Sequence, residues 1–238
     1  MDILRQILSE SKVIFFDLDD TIWDFRKNGE AGLRQIYADH DLTGLGVPDV
    51  EQFLARYVKH NDDCWARYRR GELDQNTLRW LRYDLTLKEF GVENKTLAIT
   101  LAADYLDAMS AQDILVEGAR ELLDLLHGKK PLHLITNGFE EVQHRKLRVS
   151  KLGHYFDSVT TSEQANAVKP DPRIFHTALA KAKSKPEQAL YVGDSPEVDG
   201  SCKAVGMNFI WLNRHDHVSK QPHVEVSTLH QIRQAYPE

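Results

Sequence analysis

The sequence predicts an α/β fold in which a parallel sheet is interrupted, after its first strand, by a block of helices. Three features point to it. Val13-Ile14-Phe15-Phe16 is a short apolar run of β-branched and aromatic residues, cut off by Asp17-Leu18-Asp19-Asp20-Thr21; it reads as a buried strand ended by a polar break. Beyond about residue 112 such runs alternate with helical patterns, the rhythm of parallel strands joined by crossover helices. From about Pro48 to Met109 only helical patterns occur, rich in Leu, Arg, Glu and Ala.

The elements follow in order. Lys12–Phe16 is the first strand. Asn28 to about His40 is a helix, with Ala31, Leu33, Ile36 and Tyr37 at helical spacing. The helical block breaks at Arg70-Gly71-Glu72. After Glu117-Gly118 come a helix over Ala119–Leu126, a strand over Leu132–Thr136 and a helix over Glu140–Lys151. A short strand, Ser158–Thr161, leads to a helix over Asp171–Lys183 whose first turn tolerates Pro172. Ala189–Val192 is a strand, Asp199–Val205 a helix and Asn208–Trp211 a strand; a short strand and a helix around Thr228–Ala235 finish the chain. The expected organisation is a Rossmann-like parallel sheet core, residues 1–25 plus 112–238, with an inserted all-helical cap domain, residues 26–111.

Composition narrows the function. The 238 residues are 42% hydrophobic and 28% charged, enough to bury a full core without staples. A net charge of −6 disfavours tracking a nucleic-acid backbone, yet a lysine and a metal can still make a local phosphate site. Cys64 and Cys202 stand far apart and outside any CxxC, and both read as small buried residues. With no apolar leader and no run of membrane-spanning length, the cytoplasm is the expected location.

The chemistry gathers at strand ends. The first strand ends in Asp17 and Asp19, the second in Thr136-Asn137-Gly138, the third runs on to Val168-Lys169-Pro170, and the fourth ends in Gly193-Asp194-Ser195 with Asp199 close behind. Parallel strands of one sheet bring such ends to one rim. Carboxylates, a lysine, a hydroxyl and loop amides suit phosphoryl transfer. Carboxylate oxygens are ligands that Mg²⁺ prefers, the ammonium and amides hold phosphoryl oxygens, and an aspartate can attack phosphorus to form an aspartyl-phosphate.

Asp17-Leu18-Asp19-Asp20-Thr21, Thr136-Asn137-Gly138, Lys169-Pro170 and Gly193-Asp194-Ser195-Pro196-Glu197-Val198-Asp199 resemble, in order, the four motifs of the haloacid dehalogenase superfamily. The helical insert resembles the cap of its first subclass. The resemblance implies that Asp17 is the nucleophile and Asp19 the general acid/base. It implies Mg²⁺ held by the Asp17 side chain, the Asp19 carbonyl and Asp194, and phosphate held by Thr136, the Asn137 amide and the Gly138 loop. Lys169 would neutralise nucleophile and phosphoryl group, and Asp199 would orient Lys169 or the metal's water shell. Asp19 favours phosphatase over dehalogenase chemistry, because an alkoxide leaving group needs a proton and a halide does not. Asp20 reads as a turn residue or as a hydrogen-bond acceptor supporting the catalytic groups.

Ile135-Thr136-Asn137-Gly138-Phe139 and the pattern Asn61, Trp65, Tyr68, Gly71 resemble the bacterial 5′-nucleotidase branch, which implies nucleoside monophosphates, pyrimidine deoxynucleotides in particular, as substrates. Gln164-Ala165-Asn166-Ala167 stands where many relatives carry Glu-Val-Gly-Val. Trp65, Tyr68 and Phe139 are candidates to stack on a base, whereas the spacing of Trp65, Tyr68, Trp80 and Tyr83 equally suits a packed helix face. Arg67, Arg69, Arg70, Arg79 and Arg82 read as a solvated helix face. The expected partner is a small phosphorylated metabolite, with no long nucleic acid, no membrane and no obligatory protein partner. The alternatives are a phosphatase of sugar phosphates or phosphoglycolate, and a non-catalytic phosphate-binding protein.

Overall fold

The computed structural model describes residues 2–237. The chain divides into two compact units, one of Met1–Phe25 with Asp113–Glu238 and one of Arg26–Gln112. Along the chain run α1 (Asp2–Glu10), β1 (Val13–Phe16), α2 (Phe25–Asp39), α3 (Val50–Arg69), α4 (Gln75–Lys88), α5 (Lys95–Ser110) and α6 (Ala119–Leu126). They are followed by β2 (Leu132–Thr136), α7 (Glu140–Val149), β3 (Ser158–Thr161), α8 (Ser162–Ala165), α9 (Pro172–Lys181), β4 (Ala189–Gly193), β5 (Asn208–Leu212), β6 (Val224–Val226) and α10 (Leu229–Ala235).

In the first unit the six strands form one sheet in the order β3-β2-β1-β4-β5-β6, and every pair is parallel. All residues of β1, β2 and β4 are buried, as a sheet covered on both faces requires. That is why VIFF and LHLIT are continuous rather than alternating apolar runs. On one face Val13, Phe15, Ile135 and Tyr191 pack with Ile174, Phe175 and Ala178 of α9. β1 lies between β2 and β4, so the strand order reverses on either side of it. A doubly wound sheet opens its ligand crevice at such a switch point, outside the carboxyl ends of the strands.

Three elements differ from the sequence expectation, one of them the short helix α8 after β3, where a loop is expected. Asp2–Glu10 forms an amphipathic helix whose Leu4 and Leu8 are buried, where the sequence analysis names no element. Residues Gly200–Val205 form a 3₁₀ rather than an α-helix. The segment is six residues long, and a Cβ at Gly200 would meet His223 at 3.1 Å and Phe209 at 3.2 Å, so the turn is pressed against the sheet.

The second unit is helical throughout. Asp49, Asp74 and Asn94 cap α3, α4 and α5 by accepting from the backbone N–H groups of Gln52, Thr77 and Leu97. Between α3 and α4 the expected break is present, with Gly71 at φ +75°. Phe53, Tyr57, Cys64, Tyr83, Leu101 and Tyr105 form its interior. Arg82 corrects the reading of a solvated arginine face. It is 2% exposed, donates to Asn61 Oδ1 at 2.7 Å, and lies 5.5–5.9 Å from the ring centres of Tyr57, Tyr83 and Tyr105. Tyr83 is fully buried, whereas Trp65 and Tyr68 are half-buried and meet edge-on at 5.7 Å. Among the described residues no helix is long and apolar enough to cross a membrane.

Candidate active site

The carboxyl ends of β1, β2 and β4 bring the motif residues together. Asp17 continues β1, its backbone N–H donating to Val192 O of β4 at 2.9 Å. It is 6% exposed. Lys169 arrives from the loop before α9, after Asn137 has strapped that loop to the end of β2. The Asn137 amide nitrogen donates to Lys169 O at 3.0 Å, and its oxygen accepts from Lys169 N at 2.8 Å. The Lys169–Pro170 peptide is cis. The Asn137 side chain therefore holds the lysine loop, a role separate from the backbone N–H that the family resemblance assigns to phosphate.

Lys169 is the hub. Its ammonium donates to Asp17 Oδ1 and to Asp199 Oδ1, each at 2.6 Å, to the Tyr191 hydroxyl at 2.9 Å and to Ile135 O at 3.3 Å. Asp199 is 1% exposed and its other oxygen accepts from Ser195 N at 3.1 Å. A Cβ at position 193 would lie 2.4 Å from Asp199 Oδ2, so only glycine lets this carboxylate pass under the end of β4. Tyr191 was not singled out from sequence, because as the inward residue of an apolar strand it looks like core.

The electrostatics are strained by burial. Burial raises the Asp17 carboxyl to about 7; Lys169 opposes this, while Asp199 and Asp19 add to it. Burial would lower the Lys169 ammonium, but Asp17 and Asp199 outweigh it and hold the group above its ordinary range. Asp194, half-buried at the end of β4, is raised well above the usual carboxylate range by burial and by Asp199 and Asp17. One oxygen each from Asp17, Asp194 and Asp199 lie within 4.8 Å of one another. Three carboxylates thus face a single ammonium, and hard oxygen donors with uncompensated charge are what a small divalent cation such as Mg²⁺ requires. The residues present fit that ion.

Asp19 stands apart from this cluster. Its side chain is 26% exposed and turns to α7, accepting from Lys146 Nζ at 2.6 Å and Gln143 Nε2 at 2.9 Å. Gln143 Nε2 also donates to Thr136 Oγ1 at 2.8 Å, and Gly138 N donates to the same oxygen at 3.1 Å. With both lone pairs accepting, the Thr136 hydroxyl can offer only its hydrogen outward, as a phosphate oxygen would need. The Gly138 amide is spent on Thr136, and the glycine's lack of a side chain is required elsewhere: a Cβ there would lie 1.6 Å from Gln143 Nε2. Neither Gln143 nor Lys146 was singled out from sequence; their i, i+3 spacing on a predicted helix was the available signal. Asp20, at φ 59°, is a turn residue whose carbonyl accepts from Arg214 at 3.2 Å. Phe139, just before α7, is 4% exposed, so its ring is packed and presents little face to a base.

Residues 11–206 match the haloacid dehalogenase-like hydrolase family. The pyrimidine 5′-nucleotidase YjjG of Escherichia coli is 30% identical over 93% of this chain and 96% of its own length. The pyrimidine 5′-nucleotidase PynA of Streptococcus pneumoniae is 30% identical over 90% of each chain. The magnesium-bound crystal structure of the HAD-hydrolase YfnB from Bacillus subtilis superposes with a TM-score of 0.86 at 25% identity, covering 94% of this chain and 97% of that one. With the motifs in family order and relatives aligned over nine-tenths of its length, this protein belongs to the haloacid dehalogenase-like hydrolases and is an enzyme.

Proposed function

We propose that the chain is a Mg²⁺-dependent phosphomonoesterase that hydrolyses nucleoside 5′-monophosphates, pyrimidine deoxynucleotides in preference, through an aspartyl-phosphate. The observation that carries the reading is the placement of Asp17 at the switch point of the sheet, paired with Lys169 at 2.6 Å and clustered with Asp194 and Asp199. Two relatives named as pyrimidine 5′-nucleotidases support the substrate class.

In this reading Asp17 attacks phosphorus in line with the leaving oxygen. Its Oδ–P bond forms as the P–O bond to the leaving group breaks, and Asp19 gives its proton to the departing alkoxide. Asp19 then takes a proton from the water that attacks the phosphorus of the aspartyl-phosphate, releasing inorganic phosphate and restoring Asp17. Lys169 and the outward hydrogen of Thr136 bear on the phosphoryl oxygens, where charge develops. The side chains of Asp17 and Asp194, with the Asp19 carbonyl, would hold Mg²⁺, with Asp199 beside them. When bound, the cation supplies charge neutralisation at the phosphoryl group. Asp199 orients Lys169.

The test is phosphate release with and without Mg²⁺ across pyrimidine and purine nucleoside monophosphates, sugar phosphates and phosphoglycolate. Asp17→Asn serves as the control. Preferred turnover of pyrimidine deoxynucleotides that vanishes in Asp17→Asn is expected. Preference for a sugar phosphate or small acid phosphate overturns the nucleotide assignment, and full activity of Asp17→Asn overturns the nucleophile.

A further inference from the structure

The least expected feature of the first unit is a second buried lysine. Lys146 is 2% exposed, and among the described residues its one anionic partner is Asp19, at 2.6 Å. The ammonium lies 4.2 Å from the ring centre of Trp23 and 5.3 Å from that of Phe25, so aromatic faces replace the rest of its hydration. Burying a cation this fully is costly unless it is paired, and here the pair runs to a carboxylate that keeps a quarter of its surface open.

The geometry around Asp19 is over-determined. Lys146 takes Oδ1 and Gln143 takes Oδ2, so the plane of the carboxylate is fixed from both ends. Both donors come from one face of α7. Gln143 is fully buried and its Nε2 is shared with Thr136 Oγ1, tying the orientation of Asp19 to the hydroxyl at the end of β2. Gly138 gives the space for that amide. Trp23 is itself held by backbone bonds to Leu18 O at 2.8 Å and from Asp20 N at 2.8 Å, so the wall behind Lys146 is built from the same turn that carries Asp19.

We propose that Lys146 and Gln143 are positioning residues for the acid/base step: they hold the Asp19 carboxyl in the one orientation from which it exchanges a proton with the leaving oxygen and then with water. The proposal rests on the phosphomonoesterase reading and adds to it two residues outside the four motifs. Neither touches substrate in this scheme; each acts through Asp19. Their loss therefore penalises reactions in proportion to how much the leaving group needs a proton. An alkoxide needs one, whereas a dinitrophenolate leaves without help.

The experiment compares first-turnover release of the leaving group from a nucleoside 5′-monophosphate and from 2,4-dinitrophenyl phosphate, with saturating Mg²⁺. The wild type, Lys146→Met, Lys146→Arg and Gln143→Met are measured, with thermal midpoints for each. Lys146→Met is expected to slow the nucleotide reaction by about 10²-fold, the lower end of what general acid catalysis supplies, while the dinitrophenyl ester is little affected and KM holds for both. Lys146→Arg, which keeps a cation and N–H donors, recovers much of the loss. Gln143→Met also frees the Thr136 hydroxyl and so slows both esters somewhat, but slows the nucleotide reaction more, and that difference carries the test if Lys146→Met does not fold. Equal losses on both esters, a rise in KM with kcat intact, or no loss at all overturn the proposal while leaving an active wild type as a phosphatase. A wild type inert toward both esters overturns the phosphatase reading and this proposal together.

Discussion

Lys169 and Lys146 occupy neighbouring regions of one sheet rim, and they use burial differently. Both are 2% exposed and both pair at 2.6 Å with an aspartate just past β1. Lys169 is saturated: two carboxylates, a phenol oxygen and a carbonyl surround it, and both carboxylates are themselves buried. Lys146 has one carboxylate, partly exposed, and two aromatic rings. In the proposed reaction the first arrangement fixes charge where substrate charge arrives. The second fixes the direction of a carboxylate that stays partly open to solvent.

The change expected to break this contrast most severely is Lys169→Met. It strips the ammonium that pairs with two of the three clustered carboxylates. Breaking a buried pair from one side costs about 3–5 kcal/mol, so the metal-free protein should melt lower. Activity should fall by about 10³-fold, the upper range for losing one group that stabilises transition-state charge. Unlike Lys146→Met, the loss should be alike for alkyl and dinitrophenyl esters. A loss selective for the alkyl ester would put Lys169 on the proton-transfer side and erase the distinction.

A smaller effect follows from the raised carboxyls. The Asp17 carboxyl has an unfolded value of 3.8 and a folded value of about 7, with burial as the main cause. A carboxyl raised by folding favours the folded state at low pH. That contribution is complete below the unfolded value and lost as pH rises through the folded one, here between about 4 and about 7. Asp194 is displaced in the same direction. Mg²⁺ competes with those protons, so its stabilisation should grow from pH 5 to pH 8, reaching about 2.7 kcal/mol at a hundredfold excess over Kd. Thermal melts with EDTA or Mg²⁺ at the two pH values measure it. The dependence should shrink in Asp17→Asn and persist in Lys146→Met; a Mg²⁺ effect that is flat with pH would remove the carboxyl cluster as its origin.

The same contrast marks the border of what the sequence makes legible. The strands β1, β2 and β4 are readable because a covered parallel sheet demands continuous apolar runs, and their polar ends are abrupt. Lys169 is readable because Pro170 follows it and its motif stands in order between two others. Lys146 sits in EEVQHRKLRV, where charge is the norm for a surface helix, and nothing local says that this lysine turns inward. Arg82 fails for the same reason: only the three tyrosines that surround it in space, two of them distant in sequence, make its burial possible. Gly138 and Gly193 each make room for a side chain several residues on, Gln143 and Asp199. That requirement depends on how the following segment packs back, which periodicity does not encode.

Tyr191→Phe is the mildest probe of the comparison, and it separates charge from hydrogen bonding around Lys169. The hydroxyl accepts from Lys169 at 2.9 Å and lies within reach of Ile135 O at 2.9 Å and Asp199 Oδ1 at 3.2 Å. Burial and the nearby Asp199 and Asp17 hold its proton on, so it stays a donor throughout the working pH range. An ammonium has three hydrogens; two are committed to Asp17 and Asp199, and the third is shared between Tyr191 and Ile135 O. Without the hydroxyl that hydrogen still has the carbonyl, so Lys169 keeps its place. The expected cost is about 1 kcal/mol of stability, the net worth of one hydrogen bond, read from denaturant melts. Turnover should drop only a few-fold, equally for both esters. A loss approaching that of Lys169→Met would mean that the phenol, rather than the paired carboxylates, sets the position of the ammonium.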